Sequence, residues 1–361
     1  MRFVRCLAGI CTRWFTPFLF LLILTFTAVS LSACQSTPYL LSAPPPLPTL
    51  APTVNLISAL PGPLATPTSQ SVSTPTATAV PATNTPSPTA TATATLPATY
   101  QLTLNSSQPQ GYLNQFRLVA FYGSPTGPGL GIVGELPREQ MHQQLLASVA
   151  SYEPFSDRLI LPAYHLVTTV ANPYPPTYSH QVNIELIEQW VAEAKALETA
   201  VILDIQPGRA NLITEFERLE QLLHEPHVHL AIDPEFVMNA GQVPGANIGQ
   251  LYAEQINEIQ ARLNAIGAEI GLNRVLILHQ FRPSMLPDKA LIEAYPFVEI
   301  VIDGDGVGAA NVKIYNYTSY ASEPAFEFGG FKLFPTDGDY PVMTPAEVME
   351  LTPQPALIIY Q

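Results

Sequence analysis

The chain has 361 residues, of which only 12% are Asp, Glu, Lys or Arg, and a formal net charge of −14. From position 14 to position 116, 103 consecutive residues, there is no formal charge, whereas Arg117 to Gln361 holds all 29 acidic and twelve basic residues, a net −17. A uniform globular body is excluded, and so is nucleic acid as a partner, because phosphate binding needs a basic face.

Residues 1–13 carry three arginines and no acid, and an apolar run from Phe15 to Val29 follows, ending in Leu31-Ser32-Ala33-Cys34. A basic start, an apolar stretch and small residues before a cut site predict a secretory signal peptide over 1–33. The last four residues resemble the lipobox of bacterial lipoproteins. That resemblance implies an acylated Cys34 as the new N-terminus, with the membrane as partner through the lipid and an extracytoplasmic location. An uncleaved membrane helix is the alternative reading of the same run. Cys6 and Cys11 fall in the removed segment, so the mature chain has one cysteine and no internal disulfide.

Between Gln35 and Tyr100 there are 14 prolines and 15 threonines. Proline lacks a donor and fixes φ, and Thr and Ala offer no large apolar face, so 34–110 reads as a disordered tether. It either holds the domain clear of the membrane or merely separates it.

From residue 111 onward the pattern changes to alternating strand and helix, which predicts one domain over 111–361. Arg117–Tyr122 reads as a buried strand, Arg138–Ser151 as a helix after Pro137, Asp157–His165 as a strand and Asn183–Leu197 as an amphipathic helix. The alternation continues with strand Ala200–Ile205, helix Leu212–Leu223, strand Val228–Ile232, helix Ile248–Ile266 and strand Val275–Leu278. A short helix Lys289–Ala294, strand Val298–Ile302, a helix or loop to Ser319, strand Gly330–Phe334, helix Pro345–Glu350 and strand Ala356–Tyr360 complete it. Eight near-continuously apolar strands in this length predict an α/β fold, a TIM-barrel-like (β/α)8 domain, with a doubly wound open sheet as the alternative.

In a barrel, chemistry belongs at the C-terminal strand ends. Those ends carry Tyr122, Tyr164, His165, Asp204, Gln206, Arg209, Asp233, Glu235, His279, Gln280, Asp303, Asp305 and Lys332. Crowded carboxylates raise one another's pKa, which suits general acid work. Asp204, Asp233 and Glu235 are therefore the candidate acid–base constellation of a glycoside hydrolase-like enzyme, in which one carboxyl protonates the leaving oxygen and another acts as base or nucleophile. In Asp233-Pro234-Glu235 a strand's period of two would aim both side chains the same way.

The remaining ten are candidate substrate-binding groups, with Phe236 and Phe281 as further stacking surfaces. Plainer readings stand beside these. Asp before Pro or Gly is ordinary turn chemistry, and His165 and His279 could be satisfied core histidines. His227 and His229 begin a strand and read as structural, as does Trp190 in its helix. A surface protein that binds a glycan without cleaving it is the second functional reading.

Gly129-Leu130-Gly131-Ile132-Val133-Gly134 fits a dinucleotide fingerprint, but the next helix begins only near Pro137, so a loop over the mouth is the better reading. A metal site built from His165, His279 and the aspartates, and with it a metal-assisted hydrolase, is a third reading, but no His-x-His or His-x3-His spacing stands at a strand end; neither metal nor cofactor is expected, and the protein is expected to be monomeric.

Several strings, among them Leu203-Asp204-Ile205-Gln206-Pro207-Gly208-Arg209, Asp233-Pro234-Glu235, Leu278-His279-Gln280-Phe281 and Gly330-Phe331-Lys332-Leu333-Phe334, resemble those of an uncharacterised family of bacterial exported proteins and lipoproteins. That resemblance covers the region after Arg117 and implies no activity. In fold alone the domain is similar to glycosidase-type barrels.

Overall fold

The computed structural model describes residues 111–361; the expected signal segment, Cys34 and the tether lie outside the described residues. Nine strands form one sheet: β1 (Phe116–Gly123), β2 (Leu159–Ala171), β3 (Ser179–Gln181), β4 (Ala200–Ile205), β5 (Val228–Ile232), β6 (Arg274–Gln280), β7 (Val298–Gly304), β8 (Phe328–Leu333) and β9 (Leu357–Tyr360). Neighbours run β1-β9-β8-β7-β6-β5-β4-β2, and β1 also pairs with β2 in parallel, so eight strands close on themselves. The chain thus forms the (β/α)8 barrel, and the open-sheet alternative falls on the β1–β2 closure.

The strands close because they are apolar on both faces. In β4, β5, β6 and β7 every residue is buried, as parallel strands covered by helices outside and side chains inside must be. The outer layer consists of α1 (Arg138–Tyr152), α2 (Ile184–Ala196), α3 (Leu212–Leu219), α4 (Ala253–Ile270), α5 (Ala310–Ala321) and α6 (Pro345–Met349). Asn183 and Asn211 cap α2 and α3 through side-chain oxygens, and Thr344 with Glu347 forms a capping box on α6.

Four local expectations change. Strand β2 runs on to Ala171, because β3 pairs with its end in an antiparallel hairpin that the polar Ser179–Gln181 did not announce. Helix α4 begins at Ala253 rather than Ile248 and ends at Gly271, whose φ of 71° suits glycine. Lys289–Leu291 is a single 3-10 turn, so the β6–β7 connection has no α-helix. Leu212–Leu223 is likewise shorter: α3 stops at Leu219 and a 3-10 turn, Leu222–His224, follows.

The N-terminal end of the barrel is plugged. Glu299 Oε2 accepts hydrogen bonds from the Tyr112 and Leu113 amides, both at 3.0 Å, and the Tyr112 ring packs edge-on to His229 at 4.3 Å. His229 Nδ1 accepts from the Val275 amide, and His227 Nε2 meets Val191 O at 3.1 Å. These histidines hold the closed end, which leaves the opposite mouth for ligands.

Candidate active site

At the C-terminal mouth a cavity of about 540 Å³ opens to solvent. Its carboxylates are Asp233, Glu235 and Asp305; its cations are Lys332 and Arg282; its aromatic walls are Tyr122, Phe236, Phe281 and Phe334. Gln206 also lines it.

The strand period of two sorts the expected residues into layers. Asp204, His279 and Asp303, each one residue before its strand end, and His165, within β2, point into the barrel, are fully buried and stay out of the cavity wall. Two positions further on, Gln206, Phe281 and Asp305 form the layer above and do line the cavity. The single crowded mouth expected from the sequence is therefore two stacked layers, and Asp204 belongs to the lower one.

In the lower layer Asp204 bridges two histidines. Its Oδ2 is 3.1 Å from His165 Nε2 and 3.3 Å from His279 Nε2, the latter a charge contact without hydrogen-bond alignment. His279 Nδ1 lies 2.9 Å from Asp303 Oδ2 and 3.4 Å from Asp305 Oδ2. Burial opposes ionisation of Asp204, but the His279 charge and the His165 hydrogen bond hold it well below the usual carboxylate range. Burial likewise opposes a charged His279, and the flanking Asp204 and Asp303 override it, so its pKa stands well above the ordinary value. His165, with burial dominant, goes down.

In the upper layer Lys332 Nζ lies 3.0 Å from Asp305 Oδ1 and 3.9 Å from the centroid of the Tyr122 ring. Burial alone would lower its pKa, but Asp305, Asp303 and Asp233 hold it above the ordinary value. It is a fixed cation, not a neutral amine nucleophile. Burial, followed by the charges of Asp204, Asp233 and Asp305, pushes Tyr122 well up, so it stays a phenol. Gln206 Nε2 donates to its hydroxyl at 3.0 Å, while Gln206 Oε1 accepts from the Ala171 amide.

Asp233 and Glu235 do not sit on a strand. Asp233 caps a 3-10 turn, Pro234–Phe236, and its Oδ1 accepts from the Glu235 amide at 3.0 Å. The expected period-of-two alignment fails there because β5 ends at Ile232; the turn nonetheless brings both carboxyls to the cavity. Asp233 is pushed up to about 8, by burial first and then by the charges of Asp305, Asp204 and Glu235, against the pull of His279. Glu235 is raised as well, by burial and then by Asp305, against the pull of Lys332 and Arg282.

Three expected binding residues are elsewhere. Tyr164 has the opposite parity to His165 and points outward, its hydroxyl 2.8 Å from His142 Nδ1 and its ring edge-on to Trp190 at 5.3 Å. Trp190 is itself covered by the Arg138 guanidinium at 4.3 Å. Arg209 stacks on Tyr178 at 4.1 Å and donates to Gln242 O, tying two loops together. Gln280, wholly buried, donates to Arg282 O instead of facing the cavity.

Phe334, Asn316, Arg282, Ala171 and Gln361 also line the cavity, although they are not among the residues expected from the sequence. Phe334 was legible, being two residues beyond Lys332. Asn316 comes from α5 and Gln361 from beyond β9, where strand parity gives no signal. The glycine-rich loop folds back on β1: the Val133 amide donates to Tyr122 O at 3.0 Å, and Leu130 reaches the cavity wall. Its glycines allow close backbone approach rather than cradling a phosphate.

No family model matches the chain and no curated protein matches it, so the resemblance to a family of exported proteins gains no support. Solved structures give a likeness of fold. The catalytic module of a family 98 glycoside hydrolase from Streptococcus pneumoniae TIGR4, in its native form, aligns with 69% of this chain and 46% of that one at 11% identity and a TM-score of 0.38. The module in complex with the H-disaccharide blood group antigen aligns with 61% and 37% at 13% identity and a TM-score of 0.35. The module in complex with the LewisY pentasaccharide aligns with 64% and 38% at 14% identity and a TM-score of 0.32. The chain spans less than half the length of these neighbours, and at such values the likeness says nothing about activity.

Proposed function

We propose that the domain is a glycoside hydrolase-like enzyme acting on a carbohydrate or cell-wall glycan, tethered outside the cell through a lipid on Cys34. The observation that carries this reading is the convergence of Asp233 and Glu235 on one open, aromatic-walled cavity at the C-terminal mouth of the barrel. The tether and lipid rest on the sequence of residues 1–110 alone.

The roles follow from the surroundings. Asp233, the more deeply buried and the more strongly raised, stays protonated at neutral pH and is the general acid that protonates the leaving oxygen. Glu235 faces Lys332 and Arg282, whose charges favour its carboxylate form, and acts as base or nucleophile. Asp204 touches no substrate in this scheme; it contributes negative charge beneath Asp233. Phe236, Phe281 and Phe334 offer apolar faces to sugar rings, and Gln206 a polar edge.

A second reading keeps the cavity and drops the chemistry: a surface protein that binds a glycan without cleaving it. What favours it is the position of Trp190, packed under Arg138 instead of forming a platform in the cavity. A glycan hydrolysis screen of wild-type chain and Glu235→Gln decides between them. Turnover in the wild type and a loss of ~100-fold or more in the variant supports catalysis. Equal activity of the two, within about a factor of two, removes Glu235 from the mechanism, and binding with no product from either supports the second reading.

A further inference from the structure

Beneath the cavity, three side chains that the proposed hydrolysis does not touch bring donor atoms together. Asp204 Oδ2 lies 3.1 Å from His165 Nε2 and 3.3 Å from His279 Nε2, and the three atoms fall within 4.8 Å of one another. All three side chains are wholly buried. We propose that His165, Asp204 and His279 form a binding site for one divalent transition-metal ion of the zinc type.

Three independent features support the site. The first is spacing: two ligands ~2.1 Å from a tetrahedral zinc are roughly 3.4 Å apart, close to both distances measured from Asp204. The second is orientation. With Asp303 Oδ2 2.9 Å from His279 Nδ1, that nitrogen donates, which leaves Nε2, the nitrogen facing Asp204, as the one to hold the ion. A carboxylate behind a histidine is the arrangement that fixes the tautomer of metal-bound imidazole.

The third is unmet bonding. His279 Nε2 and Asp204 Oδ1 have no hydrogen-bond partner although both are buried, and a buried polar group left unsatisfied is costly. An ion held by His279 Nε2 and by both oxygens of Asp204 meets that demand.

Two imidazole nitrogens and a carboxylate suit zinc, cobalt or iron better than calcium or magnesium, which prefer oxygen alone. The ligands stand on β2, β4 and β6, so the ion would cross-link three barrel strands. The neighbouring group of His279, Asp303 and Asp305 is the poorer candidate, because Lys332 already places an ammonium 3.0 Å from Asp305.

The test is metal binding, not turnover, so its outcome is separate from that of the glycosidase reading. Full chain purified in detergent and stripped with a chelator is dialysed against zinc, then assayed for bound metal. In parallel it is titrated with cobalt(II), whose visible d–d bands report tetrahedral nitrogen and oxygen ligands. The expected result is one ion per chain, the cobalt bands and a zinc-dependent rise in Tm. Asp204→Asn and His165→Gln should remove the bands, and Asp303→Asn should weaken binding by ~10–100-fold. His227→Gln, at the closed end, should leave the cobalt bands and the bound zinc unchanged. Absence of bands and of bound zinc in the folded wild type overturns the proposal whether or not the variants fold. Bands that survive Asp204→Asn overturn it too, because the ion is then held elsewhere.

Discussion

The ammonium of Lys332 lies 3.0 Å from Asp305 Oδ1. With that cation engaged by Asp305, Asp233 lies within the fields of Asp305, Asp204 and Glu235, and His279 is the main charge pulling the other way. Burial is the larger cause and the repulsion adds to it, and the result is a carboxylic acid that keeps its proton near neutrality. This asymmetry between Asp233 and Glu235 is the physical basis of the assigned roles.

The pH dependence of turnover follows from it. Asp233 must be protonated to act as an acid, and its pKa is pushed up to about 8. Hydrolysis should therefore hold up through neutrality and fall as pH rises through about 8. A rate profile of kcat/KM between pH 5 and 10 checks this, and Asp233→Asn should remove that limb together with ~10²–10⁴-fold of rate on poor leaving groups. Activated aryl glycosides, which need little protonation, should lose much less.

The same shift has a sign for stability. A carboxyl whose folded pKa exceeds its unfolded value contributes stability fully present below the unfolded pKa and lost as pH rises through the folded one. For Asp233 the window runs from 3.8 to about 8. Above that window Asp233 destabilises the fold, so Asp233→Asn should unfold later than wild type at pH 8.5, by roughly 4–8 °C if about 2 kcal/mol is relieved. At pH 3.5 the two should melt together. Thermal melts at both values read the difference.

Much of the site was legible in the sequence because strand parity is simple. Asp204, His279 and Asp303 sit on regular strands, so their inward direction follows from the period of two. The depth at which each stops was not legible, because it depends on how each strand ends: Asp204 falls below the cavity floor while Gln206, two residues on, reaches it. Tyr164 and Arg209 were misassigned for related reasons. The first has outward parity beside His165, and the second belongs to a loop whose partner, Tyr178, lies in a hairpin that polar residues conceal. Asn316 has no signature at all, since a helix residue reaches the mouth only through the final packing of α5.

The mouth has a hidden brace in Lys313. Its buried Nζ donates to Gly306 O and Lys332 O at 2.7 Å and meets Asp339 at 2.8 Å, while Asp339 accepts from the Gly308 and Phe334 amides. Lys313→Met leaves the Asp339 charge buried and unpaired, which should cost about 3–5 kcal/mol. Chemical denaturation should show that loss, with Lys313→Met/Asp339→Asn recovering part of it and kcat/KM reduced in both.

The loop over β1 depends on its glycines. A Cβ on Gly131 would lie 2.5 Å from Tyr122 O, and its φ of +136° suits no other residue. Gly131→Ala should displace Leu130 from the cavity wall and raise KM, with about 1–3 kcal/mol of lost stability. Steady-state kinetics with a denaturation curve separates the two effects.

If Asp233 and Glu235 together cleave a glycosidic bond, a new anomeric centre must appear. The most direct measurement is proton NMR of the anomeric region while wild-type chain, Asp233→Asn and Glu235→Gln are incubated with a panel of glycans. The expected result is a new anomeric signal from wild type, of one configuration at first appearance, and neither variant producing it at a comparable rate. Line broadening of a glycan by wild-type chain with no new anomeric signal would contradict the claim and leave a binding protein in its place.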